Sequence, residues 1–201
     1  MITSIIFLRR RPGLSRAAFH EHWRERHAPL VLRLPGLRRY VQNFPLDADA
    51  VFDGIAESSF DDAQAMKALA QSAGYAAVLA DEPGFIDRAQ MGAIVTEAQL
   101  LKEGAAPAGG VKRIAFVAKP AAVTVEEFFR RWAEDGARRA GERTLRRYAQ
   151  CRVRASVYAS GRKPAYDGAS FAWYETAEGA RSAAPEFGEA AALCASERVV
   201  L

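Results

Sequence analysis

The chain has 201 residues, 50% of them hydrophobic and 26% charged, with a formal net charge of +4. That balance excludes disorder and collagen-like repeats, and two cysteines, Cys151 and Cys194, are too few and too far apart for a disulfide scaffold. No apolar run approaches the roughly 18 residues of a membrane span, and the N-terminal apolar stretch precedes its arginines, the reverse of a secretory signal, so a cytoplasmic protein with no membrane partner is expected.

In chain order, Ser4–Arg9 reads as a short apolar strand closed by Arg11-Pro12-Gly13. Ser15 stands at a helix N-cap, and a helix follows to about residue 33. With Phe19 at zero and about 100° per residue, Leu30, Trp23 and Leu34 fall between about 20° and 60°, a single apolar stripe. Pro35-Gly36 ends it. Leu37–Phe44 and Val51–Phe60 read as two strands joined by a turn around Pro45-Leu46-Asp47. A second helix starts after Asp61-Asp62, Asp81-Glu82-Pro83 marks another helical start, and Ile94–Glu97 is a last short strand. The order is βαββαβ, the ferredoxin-like plan.

The same signals return in the second half. Ile5-Ile6-Phe7-Leu8, Phe19 and Trp23 recur as Ile114-Ala115-Phe116-Val117, Phe128 and Trp132, offset by 109. Leu37-Arg38-Arg39-Tyr40-Val41-Gln42 recurs as Leu145-Arg146-Arg147-Tyr148-Ala149-Gln150, offset by 108. Phe52-Asp53-Gly54 recurs as Tyr166-Asp167-Gly168. Thr124 with Glu127 forms a capping box where Ser15 stands in the first half. Order and spacing both persist, so the chain is a tandem duplication: repeats at 1–101 and 111–201, joined by an Ala/Gly/Pro-rich linker at 102–110. A lone βαββαβ unit leaves one sheet face bare. Two units from one chain can close face to face, so the expected fold is α+β, an intramolecular dimeric α+β barrel with a small-ligand cavity. The chain would then be a pseudo-dimeric monomer, with a homodimer as the alternative.

Charge is unevenly divided, −1 over residues 1–101 and +5 over 102–201. The basic residues of the second half alternate with Glu126, Glu127, Glu134 and Asp135, the pattern of a solvated helix face, so nucleic acid is not an expected partner.

Three spaced motifs carry a family resemblance: Phe19-His20-Glu21-His22-Trp23-Arg24-Glu25-Arg26-His27-Ala28-Pro29-Leu30, then Pro35-Gly36-Leu37-Arg38-Arg39-Tyr40-Val41-Gln42-Asn43, then Phe52-Asp53-Gly54-Ile55-Ala56-Glu57. Together they resemble the EthD family, a branch of the dimeric α+β barrel superfamily. In the second half only the Trp, the Arg-Arg-Tyr and the Asp-Gly remain. The resemblance implies small cyclic or aromatic acids as substrates, handled without metal or organic cofactor. Similar proteins include a methylmuconolactone isomerase, which uses a histidine and a tyrosine at positions matching His27 and Tyr40, and enzymes acting on polyketide anthrones.

All three histidines lie within eight residues. On an α-helix His20 and His22 point about 200° apart, and His20 and His27 sit roughly 10 Å apart along the axis, so no zinc-helix spacing exists and no metal site is expected. His22 should face solvent. His27, at the edge of the apolar stripe, would be kept neutral by an apolar cavity and so serve as a base, unless it only ties the helix end to a strand. Tyr40 would hold an oxyanion, or else pack as a strand tyrosine with a wet tip. Gln42 shares the pleat face of Tyr40; Asn43 lies on the opposite face, and only a bulge or strand twist would bring both to one pocket. Glu57, a carboxylate in an apolar strand, would need a partner such as His20 or His27. Trp23 is either a core anchor or part of the substrate wall.

His20, His27 and Glu57 correspond to Phe129, Gly136 and Phe171 in the second half, whereas Trp23 and Tyr40 keep Trp132 and Tyr148. The polar trio is therefore confined to the first repeat. The expected protein is a cofactor-independent enzyme on a small cyclic, aromatic or lactone-type carboxylic metabolite. His27 and Tyr40 are catalytic, and His20, Trp23, Gln42, Asn43 and Glu57 bind substrate. A non-catalytic carrier of a small hydrophobic molecule, or a filled barrel serving an oligomer, are the competing readings.

Overall fold

A computed structural model describes all residues, 1–201. The strands are β1 (Ile2–Leu8), β2 (Leu37–Pro45), β3 (Gly54–Phe60), β4 (Gly92–Lys102), β5 (Val111–Val117), β6 (Leu145–Val153), β7 (Gly168–Tyr174) and β8 (Glu189–Val199). The helices are α1 (Arg16–His22), α2 (Ala28–Val31), α3 (Ala63–Leu69), α4 (Ala73–Asp81), α5 (Val125–Ala140), α6 (Ala155–Ala159) and α7 (Ala177–Arg181). The fold is α+β, and its strands pair antiparallel. No helix is long and apolar enough to cross a membrane.

Two compact units divide the chain. The first comprises Met1–Phe44, Phe52–Val95 and Glu197–Leu201; the second comprises Pro45–Val51 and Thr96–Ser196. In the first, β3 pairs with β1 and β2, and the chain's last residues bond to Tyr40, its N–H to the Leu201 carbonyl at 3.1 Å and its carbonyl to the Val200 N–H at 2.9 Å. In the second, β5 pairs with β7 and β8, and β6 pairs with β7 and with the Thr96–Lys102 end of β4.

The two units repeat one another in detail. Tyr40 pairs with Ser58 as Tyr148 pairs with Ala172, and the register slips at the same place, between Leu37 and Arg39 and between Leu145 and Arg147. Asp53 and Asp167 each accept a hydrogen bond from a backbone N–H just past the first strand of their unit, Arg10 at 2.9 Å and Lys119 at 2.7 Å. A Cβ on Gly54 would lie 2.6 Å from the Trp23 ring, and one on Gly168 would lie 2.7 Å from the Trp132 ring. Only glycine lets the indole lie flat on the strand, which explains why Trp and Gly return together.

Several boundaries differ from the sequence expectation. The helix expected from Ser15 to about residue 33 is broken by a π-helical turn, Trp23–His27, closed by the Ala28 N–H on the Trp23 carbonyl. The single second helix is two, α3 and α4, because the Ser72 side chain caps the Tyr75 N–H and restarts the helix. Asp81-Glu82-Pro83 starts a 3-10 turn and not an α-helix. Asp81 ends α4, and Pro83, which has no N–H for the helical ladder, lies in a short 3-10 turn, Glu82–Gly84. The strand expected at Ile94–Glu97 runs over Gly92–Lys102, since its far end finds a distant partner in β6 that local pattern does not reveal.

Candidate functional site

The site belongs to the first unit and begins with helix chemistry. Ser15 accepts the Ala18 N–H and starts α1, which drives Phe19 and Trp23 into a core with Tyr40, Phe60 and Phe85. Across the π turn, hydrogen bonds span five residues instead of four, so residues five apart stack on one side. His22 and His27 are such a pair. The two oxygens of Asp81, at the end of α4, accept one bond from each: His22 Nε2 at 2.9 Å and His27 Nδ1 at 2.9 Å. The Phe85 ring packs against both imidazoles, stacked on His22 at 4.5 Å and tilted against His27 at 4.9 Å.

His27 is thereby held in one tautomer, with Nδ1–H on Asp81 and Nε2 left as an acceptor. Its side chain is 8% exposed. Burial pulls the imidazole below its usual range and His22 adds to that, while Asp81 opposes it. The ring is neutral at pH 7.

Tyr40 stands on β2 with its hydroxyl accepting the Trp23 indole N–H at 3.0 Å. Burial pushes its phenol up to about 12, so it is a proton-bearing donor at neutral pH. Gln42, on the same pleat face, donates to the Trp23 carbonyl at 2.9 Å and accepts from Arg198 at 3.0 Å. That carbonyl also closes the π turn, so Gln42 ties strand to helix where the helix changes pitch.

His27, Tyr40 and Trp23 border one cavity of about 330 Å³ between the helices and the sheet. Most of its wall is aliphatic or aromatic, including Ile6, Leu8, Val31, Leu34, Phe60 and Val78, and its polar groups include Ser4, Ser58, Tyr75 and Glu82. That size and lining suit a small, largely apolar molecule.

The remaining expected residues lie elsewhere. His20 Nε2 bonds the Asp53 carbonyl at 2.9 Å, and its ring meets Phe44 edge-on at 5.0 Å; burial lowers its imidazole too. Asn43 and Glu57 are on the opposite sheet face, joined to each other at 2.7 Å, with Arg39 3.8 Å from Glu57. The expectation that Glu57 would meet His20 or His27 fails because Glu57 pairs in register with Val41, one residue out of phase with Tyr40. His22 does not face solvent: the π turn rotates it toward Asp81, where its side chain is 19% exposed.

Asp81, Glu82 and Phe85 were not singled out from sequence. One trace of the π turn exists there: Trp23 and Leu37 are fourteen positions apart, Trp132 and Leu145 thirteen, which is why the repeat offset drops from 109 to 108. The extra residue is consistent with the wider turn.

The second unit keeps the frame and fills it differently. Gln150 donates to the Trp132 carbonyl at 2.7 Å, as Gln42 does to Trp23. α5 runs unbroken, however, and Gly136 stands at the position of His27, where a Cβ would strike the Gln150 amide at 2.5 Å. The Trp132 N–H donates to Glu186 at 2.9 Å, Ser170 also bonds Glu186, and Arg139 lies 3.6 Å away. Cys151 and Cys194 are buried, and burial pushes the Cys194 thiol up, away from a reactive thiolate. No group of His, Cys, Asp and Glu side chains has a metal-holding arrangement.

Residues 11–89 match the family model of the EthD domain. No curated protein matches the chain. Among solved structures, an anthrone oxidase-like protein is 11% identical with a TM-score of 0.65, over 98% of this chain and 92% of that one, and it shows the same fold. An ethyl tert-butyl ether d (EthD) family protein from Bacillus halodurans C-125 is 24% identical over 48% of this chain and 98% of its own, with a TM-score of 0.42. A dimeric protein of unknown function and ferredoxin-like fold from Bacteroides fragilis is 12% identical over 48% of this chain and 94% of its own, with a TM-score of 0.41.

Proposed function

We propose, starting from the match of residues 11–89 to the EthD domain model, that the chain is a proton-transfer enzyme of small-molecule catabolism, acting on a cyclic aromatic or lactone-type ketone or ester. The observation that carries this reading is the Asp81–His27 pair opening on an apolar cavity that also holds the Tyr40 phenol. In the reaction, His27 Nε2 removes a proton from the carbon beside a carbonyl. The C–H electron pair moves into the new C=C bond, and the carbonyl oxygen becomes an enolate oxygen that receives the Tyr40 hydrogen bond. Return of the proton from His27 to another carbon completes an isomerisation, and capture of O₂ by the carbanion, giving a hydroperoxide that takes the proton back from His27, is an alternative fate; in a decarboxylation CO₂ leaves in place of the proton, its bonding pair forms the same enolate, and solvent protonates the carbon. Asp81 orients the imidazole and steadies its cationic form during the step. Side-chain acid–base chemistry suffices for this, so a cofactor-independent reaction remains our reading. We further propose that the chain is a tandem pair of EthD-like repeats, 1–101 and 111–201 across a 102–110 linker, and that only the first retains a site.

Anthrone tests the chemistry, because its methylene protons lie beside a conjugated carbonyl system and their exchange in D₂O is visible by proton NMR. The protein should accelerate that exchange above the buffer rate, and His27→Ala should lose roughly 10²–10⁴-fold of the acceleration with its circular dichroism unchanged. Equal exchange by wild type and His27→Ala would refute a role for His27 as the base.

A further inference from the structure

The second unit holds a cleft that the proton transfer does not use. Its volume is about 610 Å³, and it lies between the first turn of α5, the end of β6, α6 and residues 97–99 of β4. Three side chains of its wall meet: the Arg152 guanidinium lies 5.7 Å from the centre of the Phe129 ring, and Tyr158 stands edge-on to that ring at 6.3 Å. Arg152 has no anionic partner. Glu97 faces it in register across the sheet, but Arg154 takes the Glu97 carboxylate at 2.9 Å. Asp167 accepts the Tyr158 O–H at 2.6 Å. Burial, opposed by no nearby carboxylate, pulls the Arg152 guanidinium below its usual range, and its Nε is buried without a hydrogen bond. The terminal nitrogens, at the end of a half-buried side chain that borders the cleft, make no hydrogen bond either. A partly desolvated cation without a counter-ion is costly, and an anion at the open edge of the guanidinium offsets that cost.

We infer that this cleft binds a flat aromatic monocarboxylate, its ring against Phe129 and Tyr158 and its carboxylate accepting a two-point hydrogen bond from the terminal nitrogens of Arg152. Glu97 and the exposed Glu126 also border the cleft, so a multiply charged anion such as phosphate is disfavoured. The site is not a copy of the His27 cavity, with which it shares no residue, and it does not depend on the proton-transfer reading. In the first unit His20 and Phe44 stand at the positions of Phe129 and Arg152, ring against ring at 5.0 Å. That strand position therefore carries a cation only in the second unit.

The probes 2-naphthoate and 2-naphthol, one ring system with and without the charge, test this in a proton–nitrogen correlation NMR titration of the intact labelled chain at pH 7. In wild type, 2-naphthoate should shift the Ala98, Arg154 and Ala155 amides saturably and bind there at least about tenfold more tightly than 2-naphthol. Inorganic phosphate should leave those amides unmoved. Arg152→Gln should weaken 2-naphthoate at least about tenfold and change 2-naphthol by less than about threefold, with the dispersed spectrum of the variant showing that it folds. Phe129→Leu should weaken both probes. No shift at those amides, equal or tighter binding of 2-naphthol, saturable binding of phosphate, or an unchanged 2-naphthoate affinity in Arg152→Gln would each overturn the proposal. Binding and turnover are read separately: 2-naphthoate binding at Arg152 without anthrone exchange defeats the proton-transfer reading and leaves this one standing.

Discussion

Asp81 does two things for His27 that a hydrogen bond to solvent could not. It selects the tautomer, and it partly offsets the desolvation that lowers the imidazole pKa. Asp81→Asn removes the charge, so the His27 pKa should fall further, and the acid limb of any His27-dependent rate should move to lower pH with it. Ring-resonance NMR titration measures this; a His27 pKa that rises in Asp81→Asn would contradict the assignment. The Trp23–Tyr40 bond is the second residue-level element, and Trp23→Phe should cost about 1 kcal/mol for the lost hydrogen bond, plus some packing, in urea denaturation. Of these contacts, the sequence made Tyr40, Trp23 and His27 visible through motif and periodicity. Asp81 was not, because it lies 54 residues from His27 and only the packing of α4 beside the π turn joins them.

At the scale of elements, helix and strand starts obey local rules, and pairing across the sheet does not. Thr124 accepts the Glu127 N–H at 3.2 Å and opens α5, so Thr124→Ala should destabilise by about 1 kcal/mol, seen as a lower urea midpoint with unchanged slope. Gly54→Ala and Gly168→Ala should each cost about 1–3 kcal/mol, because the added methyl meets an indole ring that is fully buried and cannot retreat. Similar losses at both positions would mark them as equivalent parts of one duplicated frame, whereas a silent substitution at either would contradict the packing described. The π turn is the element that local rules missed. A helical wheel at a fixed angle per residue sends His22 to solvent, and one wide turn returns it to Asp81.

For the whole molecule, buried histidines link stability to pH. His20 and His27 both have folded pKa values below 6.5, so the unfolded chain binds more protons than the folded one between those lowered values and 6.5. Stability therefore rises with pH through that window and is lost as pH falls below 6.5. Glu82 acts oppositely: its raised pKa contributes stability that is fully present below 4.5 and lost as pH rises through the folded value. Urea midpoints measured from pH 7.5 down to 5.5 should fall, and the slope should flatten in His20→Asn/His27→Asn. A midpoint that rises as pH drops through 6 would show that the histidines are not buried in neutral form.

The sequence by itself determined the α+β class and the capped helix starts at Ser15 and Thr124, because caps, turns and alternation are properties of neighbours along the chain. It also confined the polar trio His20, His27 and Glu57 to the first half, where the second has Phe129, Gly136 and Phe171. Tertiary structure alone decided which of the polar residues meet. Pleat phase sends Glu57 and Asn43 to the face away from Tyr40, and the π turn swings His22 to the same carboxylate as His27. The end of α4 delivers Asp81 and Glu82 from more than fifty residues away. Those contacts depend on relative phase and approach between elements, quantities that no local pattern encodes.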